Sequence, residues 1–308
     1  MTYILDSTLR DGSYLFGNAM PIAYVNTIAT NLDLIVDFIE VGSPVSFGYG
    51  STNALEDDIS RLTSLKASLS KAQSAVFIQP SLWKIIGSPP IAETFAGKAD
   101  LIRFGLDPEL DLTIEVDLIS QCLHASIPCA INLMKAYRYT EERLMELSCL
   151  LNSSVKYICI VDSSGCMSPQ EVSNITSFIS RRFKALIGLH IHNNSGFANQ
   201  ISLQGLGSGY CVDSTLLGKG RAGGNADTCF LVLKRALMAG ASLEVVDGYL
   251  QKLMSATSII WGAEARSHLI DILLGITSLH SSRLSSDSFG KLDLIPSINS
   301  MLDVAWKR

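Results

Sequence analysis

Little of this sequence is charged. Asp, Glu, Lys and Arg together make up 17% of its 308 residues, on the low side for a soluble protein. That scarcity favours strands buried on both faces, or a surface covered by a partner. There is no Lys/Arg cluster able to track phosphates: Arg181, Arg182 and Lys184 stand isolated and read as a solvated helix end. With a net charge of −5, nucleic acid is not an expected partner. No apolar run approaches the roughly 20 residues of a membrane span, so none is expected to insert. The seven cysteines (Cys122, Cys129, Cys149, Cys159, Cys166, Cys211 and Cys229) form no CxxC pair, their number is odd, and no signal peptide precedes them. They are expected to be reduced, mostly buried thiols of a cytoplasmic protein. Internal repeats beyond a strand–helix unit, and low-complexity segments, are also lacking.

What is present is a train of short apolar runs. They begin with "YILDST", "FIEVGS", "AVFIQP" and "LIRFGL", and continue with "CAINLM", "YICIVDS", "LIGLHIHN" and "YCVDSTL". Each is nearly continuous in apolar residues, as strands buried on both faces must be. Amphipathic stretches with start signals lie between most of them. "SPQEVSNITSFISRRF" opens with Ser168, Pro169 in the first turn and Glu171 three residues after the serine, a capping box. "YTEERLMELSCLL" begins similarly at Thr140. Only the third unit is poorly formed, broken by Gly87, Pro89 and Pro90. Eight such units predict an α/β fold, a (β/α)8 TIM barrel over residues 1–241. A doubly wound sheet would rarely keep eight even units. After Gly240 the pattern turns helical, and residues 242–308 are expected to form a small C-terminal helical extension.

In such a barrel the chemistry sits at the C-terminal strand ends. The polar residues there are Asp6, Arg10 and Asp11 (strand one), Glu40 and Ser43 (two), Arg103 (four) and Asn132 (five). Strands six to eight add Asp162 and Ser163, then His190, His192 and Asn193, then Asp213. His190 and His192, two of the chain's five histidines, are two apart on a strand and so share a face. Alone, such a pair is as well read as two hydrogen-bonded core histidines. With Asp11 at the end of strand one, two imidazoles and a carboxylate suit a divalent ion with positions left open for substrate. Asp6 is then structural or supports the ligands. "GKGRAG", Gly218 to Gly223, formally matches a dinucleotide-binding turn, but Lys219 and Arg221 are not the small residues such a turn favours. A tight loop over the barrel mouth is the plainer reading. In a middle reading, its N–H groups and Asn225 help to hold an anionic substrate.

"TLRDGS", "HIHN" and "GRAGGN" together resemble the metal-dependent pyruvate aldolases and acyl-transferring synthases that share a (β/α)8 barrel (the HMG-CoA lyase-like, or DRE-TIM, superfamily). "SFGYG", "VDSSGCMS" and "HNNSGFANQIS" resemble loops of 4-hydroxy-2-oxovalerate aldolases within it. The resemblance implies that Asp11, His190 and His192 hold the metal and that Arg10 stabilises a pyruvate enolate. It implies Mn2+ foremost as the ion, with Mg2+, Co2+ or Zn2+ as others. Ser163 falls at a substrate-contacting serine and Asn225 at a ligand or supporting position, and Arg103 is expected to face substrate. "LLGITSLHSSRL" resembles the helical extension through which that family contacts an acylating aldehyde dehydrogenase; a homo-oligomer through the same segment is the other expectation. Two positions depart from the family. Tyr14 stands where the aldolases keep a basic histidine, and His280 where they keep a tyrosine reaching over the substrate.

The implied activity is that of a carbon–carbon lyase, a class II aldolase acting on a 2-oxo acid and an aldehyde. A base must take the 4-hydroxyl proton, which an imidazole near pKa ~6.5 suits better than a phenol near ~10. One expectation is that His280 is the base and Tyr14 orients the hydroxyl or the aldehyde; the other, equally open, is that His280 is a surface or helix-packing residue and the substrate differs from the family's. Competing readings are a Claisen-type acyltransferase of the isopropylmalate synthase kind, and a barrel without aldolase activity that serves as subunit of a dehydrogenase. A non-haem iron oxygenase shares the two-histidine–one-carboxylate pattern but not the barrel context or Arg10.

Overall fold

A computed structural model describes residues 2–17, 20–43, 45–50, 53–85, 89–151 and 155–277. The eight expected runs form eight parallel strands: β1 (Ile4–Asp6), β2 (Phe38–Val41), β3 (Gln73–Ile78), β4 (Leu101–Leu106), β5 (Cys129–Leu133), β6 (Tyr157–Asp162), β7 (Leu186–Ile191) and β8 (Cys211–Ser214). They close in sequence order into a barrel, with β1 pairing to β8 through Ile4 opposite Val212. The fold is the (β/α)8 barrel that the sequence predicts. The helices between strands are α1 (Ile22–Leu32), α2 (Ala54–Ser68), α3 (Pro80–Ile85), α4 (Ile91–Phe95), α5 (Leu112–His124), α6 (Glu141–Leu150), α7 (Pro169–Arg182) and α8 (Ala198–Gly207). The Pro-rich third unit is what yields two short helices, α3 and α4, in place of one.

The expected caps form. The Ser168 hydroxyl and the Glu171 carboxylate complete a reciprocal capping box on α7, and Thr140 accepts from the Arg143 N–H at the start of α6. Each such cap is worth about 1 kcal/mol.

Strand parity stacks the barrel interior in layers. Leu5, Phe38, Ala75, Leu101, Ala130, Tyr157 and Cys211 pack as an apolar floor. Two residues further along their strands the same faces carry Glu40, Arg103, Cys159 and Asp213, all buried. On β5, which is staggered so that Ala130 lies opposite Arg103, the residue two past Ala130 is Asn132, and it reaches the mouth with His190. An apolar floor thus supports a charged middle layer, and that layer supports the site.

The chain divides into two compact units, Met1–Thr228 and Cys229 onward. The second holds most of α9 (Thr228–Met238) and the long α10 (Leu243–Thr277), which breaks at Gly262, where φ is +50°. All seven cysteines are free thiols, with Cys149 and Cys166 exposed. Among the described residues no helix is long and apolar enough to cross a membrane.

Candidate active site

The Ser7 carbonyl accepts the backbone N–H groups of both Arg10 and Asp11, at 3.0 and 2.7 Å, and so folds the chain over the end of β1. A short 3-10 turn, Asp11–Phe16, follows. Two strands from β1 around the barrel, β7 brings up His190, and His192 follows directly. One ligand atom from each of Asp11, His190 and His192 lies within 4.8 Å of the others.

These three residues fit a divalent ion in detail. His190 Nδ1 lies 3.0 Å from Asp213 Oδ2, and His192 Nδ1 lies 3.2 Å from the Gly224 carbonyl. Each contact places the ring proton on Nδ1 and leaves the Nε2 lone pair to ligate, the usual support of a metal-bound imidazole. His190 Nε2 faces Asp11 Oδ2 at 3.2 Å. That oxygen is buried and has no hydrogen-bond partner among the described residues, and neither polar atom of the Asn225 amide has one. Buried polar atoms are rarely left so, and a shared cation would satisfy the two oxygens, Asp11 Oδ2 and Asn225 Oδ1.

Charges close a ring beneath the site. Asp11 Oδ1 accepts from Arg10 at 2.8 Å, and Arg10 Nε donates to Glu40 Oε2 at 2.7 Å. The same Glu40 oxygen accepts from Arg103 at 3.0 Å; Arg103 then pairs with Asp213, and Asp213 with His190. The Arg10 guanidinium also stacks on Phe77, 4.8 Å from the ring centroid. The electrostatic consequences follow the neighbours. Burial would raise the Asp11 carboxyl, but Arg10 and the imidazoles hold it below the usual carboxylate range. Burial would lower His190, but with no ion bound the Asp11 and Asp213 carboxylates outweigh it and raise it to about 9, so an ion ligated by Nε2 would displace the proton held there. Burial and then the His190 charge push His192 down to about 4.

The site opens into a cavity of about 330 Å3 lined by Arg10, Asp11, Tyr14, Ser163, His190, His192 and Arg221, among others. Tyr14 and Ser163 therefore share one space with the three candidate ligands. Asn225 lies directly behind, paired with His192 in an isolated antiparallel bridge. Arg103 is not brought to the cavity. Its side chain is wholly buried in the middle layer, where it pairs with Glu40 and Asp213, so the expectation that it contacts substrate is corrected to a supporting role. Asp6 is also structural, accepting from Thr8 N–H and the Thr228 hydroxyl. Burial raises its carboxyl to about 6. Asp162 accepts the backbone N–H groups of Cys166 and Met167. His280 lies outside the described residues, as does most of the stretch resembling the partner-binding extension.

The glycines of "GKGRAGGN" serve close packing. A Cβ at Gly220 would lie 2.3 Å from Asn225 Nδ2, and one at Gly223 only 2.7 Å from the Asn194 backbone nitrogen. The plain reading, a tight loop over the mouth, accounts for them.

The sequence reading gave no role to Asp213 or Glu40, although both stand at strand ends. It also passed over Gln79, Asp107 and Lys135, which line the cavity. The signal was available: each is the first polar residue to follow an apolar run.

Comparison with known proteins agrees with this architecture. Residues 102–260 match the HMGL-like family. A 4-hydroxy-2-oxovalerate aldolase of Pelotomaculum thermopropionicum is 30% identical, covering 91% of this chain and 83% of the relative. An (R)-citramalate synthase of Aquifex aeolicus is 26% identical over 77% of this chain, which spans 48% of the synthase. Among solved structures, the N-terminal domain of a candidate aldolase from Bacteroides vulgatus superposes with a TM-score of 0.71 at 20% identity, covering 89% of this chain and 96% of that one. That structure speaks for the fold alone. The sequence relationship goes further: the chain belongs to the HMGL-like family, and it is an enzyme of the carbon–carbon lyase kind.

Proposed function

We propose that this protein is a divalent-metal-dependent aldolase that cleaves or forms a 4-hydroxy-2-oxo acid by way of a pyruvate enolate. The observation that carries the reading is the donor set. Asp11, His190 and His192 converge within 4.8 Å with both imidazoles tied back through Nδ1, beside the Arg10 guanidinium, in one cavity. Asp11, His190 and His192 would hold the ion, with Asn225 behind them; Mn2+ is the first choice, then Mg2+, Co2+ or Zn2+. Such an ion would supply Lewis-acid polarisation of the 2-oxo group.

The chain's own residues supply the rest. Arg10 is fixed on two carboxylates and a phenyl face, so its cation is already in place where enolate charge develops, without reorganisation at the moment of reaction. Ser163 offers a hydroxyl to the substrate. Tyr14 presents a phenol to the same space, suited to orienting the 4-hydroxyl as a hydrogen-bond donor. The proton acceptor is assigned to His280.

The test is chelation. Protein stripped with EDTA should form no pyruvate from a 4-hydroxy-2-oxo acid, and Mn2+ should restore turnover. Full activity of metal-free protein would sink the reading. A second reading, acyl transfer from acetyl-CoA to a 2-oxo acid, is favoured by the synthase similarity. Release of free CoA thiol would reveal it. A barrel without aldolase activity, acting only as a dehydrogenase subunit, would have no need of a complete donor set. Docking of an acylating aldehyde dehydrogenase, or of a second copy, on the C-terminal extension remains part of the proposal.

A further inference from the structure

The cavity has a second polar wall. The candidate ligands come from β1 and β7, which neighbour β8, while β4 lies across the barrel from β8. Gln79, Asp107, Asn132 and Lys135, at or just after the ends of β3, β4 and β5, line the cavity on that opposite side. A 2-oxo acid anchored at Asp11, His190 and His192 directs its other end towards this wall.

The wall is built rather than incidental. Lys135 is a non-glycine residue in the left-handed region, with φ 51° and ψ 47°. That conformation costs about 1–2 kcal/mol, and such strain gathers at functional sites. It is held there by its N–H, which donates to Ser163 Oγ at 2.9 Å. Lys135 Nζ lies 2.7 Å from Asp107 Oδ2 and 3.6 Å from Glu109 Oε2. Asp107 Oδ1 is itself held by the Glu109 N–H at 3.1 Å. Asn132 Oδ1 is buried with no hydrogen-bond partner among the described residues.

An ammonium already matched by a carboxylate does not select an anion, and an alkyl chain would leave Asn132 Oδ1 without a partner. A row of donors and acceptors side by side matches hydroxyl groups, each of which both gives and takes a hydrogen bond. We propose that the aldehyde partner is an uncharged hydroxyaldehyde, an aldose-like compound, read by Lys135, Asp107, Gln79 and Asn132. This rests on the aldolase reading above. In the forming direction, C3 of the enolate bonds to the aldehyde carbon. The carbonyl π pair moves to the aldehyde oxygen, which takes up one proton and becomes the 4-hydroxyl.

The experiment uses the full chain with Mn2+ and pyruvate. It compares aldehydes of equal heavy-atom count: glycolaldehyde with propanal, and glyceraldehyde with pentanal. Deuterium exchange into the pyruvate methyl group is followed in parallel by NMR. The expected result is exchange, with kcat/KM at least about tenfold higher for each hydroxyaldehyde, because a site built to hydrogen-bond a hydroxyl rejects the analogue lacking it. Lys135→Met and, independently, Gln79→Leu should each move that ratio towards one. A merely structural role would lower both members of a pair equally. Exchange with equal or better use of propanal and pentanal would overturn the inference and leave the aldolase reading intact. So would a tenfold preference for glyceraldehyde 3-phosphate over glyceraldehyde. Absence of both exchange and condensation would remove the aldolase reading and this inference with it.

Discussion

Glu40 Oε2 accepts hydrogen bonds from Arg10 Nε at 2.7 Å and from Arg103 at 3.0 Å, with all three residues buried. One carboxylate oxygen thus couples the cation at the mouth to the cation in the middle layer. Through Arg103 and Asp213 the coupling runs on to the Nδ1 of His190. The orientation of Arg10 and that of His190 are consequences of one charge ring.

Glu40→Gln keeps the shape of that junction and removes its charge. Two buried guanidinium groups lose their shared counter-ion, a change that costs about 3–5 kcal/mol when a buried pair is broken. The midpoint of urea unfolding should fall accordingly. In protein that remains folded, kcat should fall more than KM rises, because Arg10 acts on the charge that develops in the transition state. A midpoint unchanged within about 0.5 kcal/mol would contradict the ring's role.

Asp213→Asn tests the other end. The Asp213 carboxylate fixes the His190 tautomer, and loss of such a partner typically weakens metal affinity 10- to 100-fold. Titration of the stripped variant with Mn2+, followed calorimetrically on protein shown to be folded by circular dichroism, should give that loss. Wild-type affinity would mean that Nδ1 is oriented by something else.

The strands were legible because burial on both faces writes itself as unbroken apolar runs, and the strand-end rule then located Arg10, Asp11, His190, His192 and Ser163 in one mouth, while Tyr14 was singled out by the family resemblance. Depth was not legible. Arg103 and Asn132 both follow inward-facing residues of the same parity, but how far up the barrel each sits depends on the stagger of β4 against β5, with Arg103 opposite Ala130 and Gly105 opposite Asn132. Arg103 falls one layer too low to reach substrate, and no local pattern says so. Asp213 was missed for a related reason. Its importance lies in a contact between neighbouring strands, 23 residues apart in sequence. The place of Lys135 after the β5 run was legible, but its left-handed backbone was not, since a lysine carries no signature of that conformation as glycine or asparagine would.

Tyr14 lines the cavity beside Arg10 and Asp11. If its hydroxyl orients the reacting oxygen, Tyr14→Phe should lower kcat about 10- to 100-fold with little change in KM. Stability should stay within about 0.5 kcal/mol, as for a half-buried residue at a cavity rim. Steady-state rates with a 4-hydroxy-2-oxo acid and a thermal melt decide it together. A kcat within twofold of wild type would assign the phenol to packing alone.

Glu115, on α5, is 1% exposed. Burial, offset only in part by the Asp107 backbone N–H, raises its carboxyl from 4.5 to about 7. Between those values the folded protein keeps the proton and the unfolded chain has released it. The unfolded state therefore binds fewer protons, so stability falls as pH rises through this window and levels off above about pH 7. Glu115→Gln removes the ionisation. At pH 8 the variant should be more stable than the parent by about 1–2 kcal/mol, a figure reduced for partial solvent screening, and should melt a few degrees higher. Near pH 4, where both states of the parent hold the proton, the difference should vanish. Melting curves of the two proteins at both pH values check the sign, and a gain that persists unchanged at pH 4 would assign it to packing instead of ionisation.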